Sequence, residues 1–314
     1  MSPEDLSVTA GPFQGSIVAL PTPFMDGGLD VRSVGRLVEF HARFGSDALL
    51  LGGTVGEGWS LSLDESAQLV ARAAETAADR SRFAMSVLFG VVEIDSRRAA
   101  RMAEQAALAG ADGIVIGAPP QVRADARDLA RHVEEILARL PEGLPVMLHN
   151  EPNRTGTDIP PEVLIELAAE LPSLRAHCEG VGFAGRARSL PARLAKAGLA
   201  TLTSDDRMIG PFTRAGAVGA VTTVANLVPG EVRALLASIR RDGPDADQRE
   251  RALAPLIDMA RLVPGAPTIK AALAAMEAIG PELRPPLAEL SAADRAKVVG
   301  ALELGRLLLP SQPA

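Results

Sequence analysis

Short apolar runs of five to seven residues alternate with amphipathic stretches over the first three-quarters of the chain. They occupy residues 16–20, 47–53, 83–89, 113–117, 145–150, 174–179, 199–204 and 219–223. Runs of this length, punctuated by glycine as in LAGADGIVIG, predict strands. The intervening stretches carry the helical period. Leu129, Val133, Ile136, Leu137 and Leu140 fall on one face of a helix expected over 124–140. Ser62 and Glu65 have capping-box spacing at the start of a helix that continues through Ala78. Strand followed by helix, eight times over in 314 residues, predicts an α/β chain folded as a (β/α)₈ TIM barrel. An open doubly wound sheet is the alternative. After Asp242 the strand pattern stops, and the remainder reads as helices broken at 264–267 and 285–286. The expected organisation is an N-terminal extension over 1–12, a barrel over 13–242 and a helical appendage over 243–314.

Composition narrows the partners. A chain with 47% hydrophobic residues can bury a sizeable core. A formal charge of −7 argues against nucleic acid or an anionic membrane surface. No apolar run approaches the length of a spanning helix. The N-terminal stretch has neither a basic start nor an apolar segment, so a cytoplasmic protein is expected. Cys178 is the one cysteine, which excludes an internal disulfide. There is no tyrosine, and the lysines are Lys196, Lys270 and Lys297. Two common catalytic side chains are therefore absent or scarce.

Several motifs in order resemble one family. GSIVALPTPF at 15–24, GGTVGEG at 52–58, LPSLRAHCE at 171–179 and HNEPNRTG at 149–156 are of this kind. So are SDD at 204–206, AGAVGAVTTVAN at 215–226 and RPPLAELS at 284–291. The chain resembles, from about Pro12 to Leu309, the dihydrodipicolinate synthase and N-acetylneuraminate lyase family of barrel aldolases. The resemblance implies a 2-oxo acid bound at the C-terminal mouth of the barrel and captured by a lysine as an imine. It places that lysine at Cys178 and the proton-shuttling tyrosine at His149. A second family tyrosine falls within GAPPQ at 117–121, and the Thr-Thr pair of the glycine turn becomes Thr54–Val55. A thiol cannot form an imine. The resemblance also implies a homo-oligomer, dimer or tetramer.

Each candidate has a chemical and a structural reading. Backbone N–H groups of the 52–58 turn, with the Thr54 hydroxyl, suit a carboxylate; Val55 deletes one donor. Arg154 is a planar donor fork for an acidic ligand, or it pins its own loop. His149 is expected to point inward as a general acid or base, or to be a buried, satisfied imidazole. Cys178 is either an inert core residue or a thiol activated by His149 on the adjacent strand. With Thr54, Val55 and Arg154, Ser204 and Val221 complete the expected substrate-binding set, and His149 and Cys178 are the catalytic candidates. His177 should face the helix layer, and His41 and His132 read as solvated or interfacial helix residues. Glu57, Asp205 and Asp206 are read as structural carboxylates. No histidine–carboxylate set has metal-ligand spacing, so no metal and no other cofactor is expected.

Two functions remain open. One is a diverged lyase that acts on a small carboxylate or 2-oxo acid-like substrate without an imine, by elimination, hydration, cyclisation or C–C/C–N cleavage. The other is a catalytically inactive member that binds or senses a small carboxylate. A third, an ordinary aldolase using one of the three lysines, requires an amine at the mouth.

Overall fold

A computed structural model describes residues 10–78, 85–305 and 307. Eight parallel strands close into a barrel: β1 (Gly15–Ala19), β2 (Ala48–Leu51), β3 (Ser86–Val91), β4 (Gly113–Gly117), β5 (Val146–Asn150), β6 (Leu174–Glu179), β7 (Ala200–Thr203) and β8 (Gly219–Thr222). Each strand pairs with its sequence neighbours, and β1 closes the ring against both β2 and β8. The expected strand runs match within a few residues; residues 83 and 84 of the third lie outside the described residues.

Each strand is followed by a helix: α1 (Val31–Phe44), α2 (Leu63–Ala77), α3 (Ser96–Leu108), α4 (Ala126–Leu137), α5 (Pro161–Glu170), α6 (Ala184–Ala195), α7 (Ile209–Arg214) and α8 (Pro229–Arg240). The α2 capping box forms as expected, with the Glu65 amide donating to Ser62 Oγ at 3.1 Å and the Ser62 amide to Glu65 Oε2 at 2.9 Å. The helix expected over 124–140 is shorter at both ends, because Asp125 caps α4 and the chain leaves the helix at Ala138. Beyond the barrel lie α9 (Ala246–Ala260), α10 (Ala266–Ala275) and α11 (Ala292–Leu304), the helical appendage.

Side-chain alternation sorts the core into two layers. Ile17, Leu50, Leu88, Val115, Met147, Cys178 and Leu202 point into the lumen, where Ala48, Ala176 and Ala200 leave room for the larger side chains. Ala10 and Phe13 pack into this lumen cluster. Val18, Leu49, Leu51, Val87, Phe89, Ile114, Ile116 and Leu148 face the helices. Among the described residues the lumen opens to a cavity at the C-terminal mouth. Among the described residues no helix is long and apolar enough to cross a membrane.

Of the two roles expected for His41 and His132, solvated or interfacial, burial excludes the solvated one. His41 Nδ1 is 3.0 Å from Ser46 Oγ, and His132 Nδ1 is 2.9 Å from Ser96 Oγ. His177 faces the helix layer as the alternation predicts and lies 3.3 Å from the Glu179 carboxylate.

Candidate functional site

A cavity of about 720 Å³ opens at the C-terminal mouth. Thr54, Val55, His149, Arg154, Ser204 and Val221 all line it, together with Glu151, Asp205, Asp206 and Arg207. Ala260, Arg261, Pro264 and Gly265 enter from the appendage, so the helical region builds one wall.

The glycine turn forms the wall above β2. Gly52 has φ +68°, and a Cβ on Gly58 would lie 1.5 Å from the Gly52 carbonyl oxygen, so the turn closes only with glycine at these positions. Glu57, in the left-handed region at φ 50°, is held beneath the turn by two groups. Lys270 Nζ donates to Glu57 Oε1 at 2.5 Å, the Arg284 amide donates to Oε2 at 2.9 Å, and Lys270 also donates to the Glu282 carbonyl at 2.7 Å. Glu57 is thus structural, as expected. Among the described residues the amides of Thr54 and Val55 and the Thr54 hydroxyl have no hydrogen-bond partner, leaving donors for an anion.

His149 and Cys178 are register partners across β5 and β6. No hydrogen bond joins them, although activation of the thiol by His149 was one of the two readings. His149 Nε2 instead shares a hydrogen bond with Ser204 Oγ at 2.8 Å and lies 3.6 Å from Glu151 Oε2. Both partners approach the same ring nitrogen, so the three residues are a cluster and not a proton relay in series. Burial pushes His149 down to about 4, aided by His177 and Arg154 against the pull of Glu179. The imidazole is neutral at pH 7.

Cys178 lies below this cluster and is absent from the cavity wall, with no exposed surface. Burial pushes its thiol up, and Glu179 and Glu151 push the same way. The Ser204 hydroxyl and the Val221 backbone oppose this only in part. These surroundings favour the protonated thiol, the reverse of what a nucleophile needs. Of the two readings of Cys178, the geometry matches inert packing in the lumen.

Glu151 is the group that the linear reading passed over. It follows β5 directly, and its carbonyl accepts from the amides of Arg154 and Thr155 at 2.9 and 3.0 Å, which fixes its backbone. Burial raises its carboxyl above the ordinary glutamate range; Arg154 opposes this, Asp205 adds to it, and the Ser204 hydroxyl reaches the carboxylate. Its position at the strand end, one residue after Asn150 in HNEPNRTG, was the available signal. The other carboxylates of the wall are committed. Asp205 accepts from the Arg207 guanidinium and amide. Asp206, raised to about 6 by burial, accepts from the Thr222 hydroxyl and the amides of Thr223 and Val224.

Among the described residues no lysine lines the cavity. Lys196 ends α6, before β7 and at the opposite face of the barrel. Lys297 pairs with Asp294 on α11 at 2.8 Å, and Lys270 is sealed against Glu57. Among the described residues no cluster of histidine, cysteine and carboxylates could hold a metal ion. The Arg154 guanidinium has no hydrogen-bond or ion-pair partner among the described residues, and Arg154 lines the cavity.

Comparison with known proteins fits this architecture. A sequence model of the dihydrodipicolinate synthetase family matches residues 12–304. The 4-hydroxy-tetrahydrodipicolinate synthase 1 of Streptomyces coelicolor is 35% identical over 297 residues, covering 93% of both chains. Among solved structures, the dihydrodipicolinate synthase of Aquifex aeolicus superposes with a TM-score of 0.89 at 28% identity, over 95% of this chain and 99% of that one. The chloride-inhibited dihydrodipicolinate synthase of Acinetobacter baumannii, complexed with pyruvate, superposes with a TM-score of 0.88 at 28% identity, over 94% and 99%.

Proposed function

The chain belongs to the dihydrodipicolinate synthetase family, and from that membership we propose that it is a diverged lyase-type member acting on a small carboxylate of the 2-oxo acid type without an imine. One observation supports the reading: among the described residues the cavity is lined by Thr54, Arg154, His149, Ser204 and Glu151 and by no lysine. Thr54, the turn amides, Arg154, Ser204 and Val221 bind and orient the substrate. Donors fixed before the substrate arrives stabilise developing negative charge without reorganisation, which is how an enolate is held in place of an electron-withdrawing iminium. His149, oriented by Ser204, is the acid/base group. Its neutral imidazole donates or accepts a hydrogen bond at the substrate oxygen, and an anionic substrate raises its proton affinity. Cys178 fills the position beneath, where the family resemblance places the lysine. Elimination, hydration, cyclisation and C–C or C–N cleavage all fit such a site. No cofactor is assigned. A cytoplasmic homo-oligomer fits the family and the composition.

The buried, protonated Cys178 and the lowered His149 favour a second reading, a member that binds or senses a carboxylate without turnover. Calorimetric titration with pyruvate, followed by an NMR-monitored panel of 2-oxo and hydroxy acids, separates the two. Saturable binding with turnover supports the enzyme. Binding with no turnover across the panel supports the sensor, and absence of carboxylate binding refutes both.

A further inference from the structure

The carboxylate of Glu151 occupies the space beside Gly180 where a side chain would otherwise project. Gly180 follows the end of β6, and a Cβ there would sit 2.6 Å from Glu151 Oε2 and 2.7 Å from the Asn150 carbonyl. Glycine at 180 therefore vacates the space that the Glu151 carboxylate fills, above the buried Cys178 and 3.6 Å from His149 Nε2. The backbone holding it is anchored on both sides. Its carbonyl caps the 152–155 turn, and the Gly180 amide donates to the Asn150 carbonyl at 2.8 Å. A carboxylate, an imidazole and a hydroxyl thus converge at the cavity wall where the resemblance places an amine.

Three carboxylates face the cavity, and their commitments differ. Asp205 is held by Arg207, with Arg261 3.8 Å away. Asp206 receives a hydroxyl and two backbone amides. Glu151 has no arginine ion pair among the described residues; its contacts are Ser204 and His149. The charged groups around it are Arg154 on its own turn, Glu179 at the end of β6 and Asp205 after β7. Two anions against one cation favour a proton on this carboxyl more than in water, which suits a group that must both take and return one.

We infer that Glu151 is the proton-transfer base of this site, removing a proton from the carbon next to the carbonyl of a small 2-oxo acid. The inference rests on the carboxylate-binding reading above and specifies its chemistry. The C–H electron pair moves into the carbonyl to give an enolate, whose oxygen is stabilised by the donors of the wall. Protonated Glu151 trades its proton for one from solvent and delivers that one to the same carbon, which is exchange. Alternatively it gives the proton to a β-hydroxyl, which leaves as water with the C–O electron pair. Either way Glu151 ends as it began, and no redox partner is needed.

The test uses pyruvate in D₂O, following loss of its methyl proton signal by NMR beside calorimetric binding. Wild type exchanges the methyl protons faster than buffer, with a rate that rises with pH through an apparent pKa above the ordinary glutamate value. Glu151→Gln, nearly isosteric, loses about 100-fold or more of the exchange, loses the pH dependence and keeps pyruvate affinity. Glu151→Asp, which withdraws the carboxylate by one methylene, retains part of the rate. Exchange in Glu151→Gln at the wild-type rate would overturn the assignment. So would a wild type that binds pyruvate without exchange above buffer. A wild type that does not bind pyruvate refutes the carboxylate-binding reading itself, and the role of Glu151 falls with it.

Discussion

Lys270 Nζ lies 2.5 Å from Glu57 Oε1, and neither side chain has any exposed surface. The ammonium also sits 4.2 Å from the Phe24 ring centroid. The lysine of α10 that reaches the barrel is therefore consumed beneath the glycine turn, joining the appendage to that turn. Burial lowers its pKa while Glu57 opposes the change. Removing one partner leaves an uncompensated buried charge. Lys270→Met should lower unfolding free energy by about 3–5 kcal/mol, measured by denaturant titration. Lys270→Met combined with Glu57→Gln should recover part of that loss.

Cys178 should be silent to thiol reagents in the folded protein. It is fully buried, and its thiol is pushed up by burial. Labelling with a thiol-reactive dye at pH 8 should proceed only as fast as the protein opens, and rapidly in denaturant. Cys178→Ser should keep the activity found in wild type. Fast stoichiometric labelling of native protein would restore the thiol as a candidate nucleophile.

His149 and Ser204 should separate by magnitude. Loss of the imidazole in His149→Ala should reduce turnover on any active substrate by about 10²–10⁴-fold. Ser204→Ala removes one hydrogen bond that orients the ring. A loss of roughly 1 kcal/mol corresponds to several-fold in rate. Steady-state kinetics on the first substrate found by panel screening checks both.

Much of this arrangement was legible in the chain. The strand runs are short, apolar and glycine-bounded, so burial alone identifies them. His149, Ser204, Thr54, Val55, Arg154 and Val221 line the cavity because strand ends and βα turns at the C-terminal face are fixed by the barrel's topology. What stayed hidden were relations across elements. Glu151 gains its place from the empty Cβ position of Gly180 on the neighbouring strand, a complementarity that no period or spacing encodes. The Lys270–Glu57 pair joins residues 213 positions apart. Cys178 and His149 are neighbours in register, as alternation predicted, yet Ser204 from β7's end takes the hydrogen bond.

Acid should destabilise the fold partly through His41. Burial lowers its pKa from 6.5 to about 3, and its Nε2 has no partner among the described residues. Between these two values the unfolded chain binds a proton that the native chain does not. Stability from this group is present above pH 6.5 and is lost progressively as pH falls toward 3. Thermal melts across that range should show a shallower decline in His41→Gln than in wild type.

A 2-oxo acid entering this cavity should meet no amine. Borohydride reduction in the presence of pyruvate, read by intact-protein mass and peptide mapping, tests it directly. The predicted result is a protein of unchanged mass, with Lys196, Lys270 and Lys297 unmodified. A reduced pyruvyl adduct on any of the three would contradict the account and return the protein to imine chemistry.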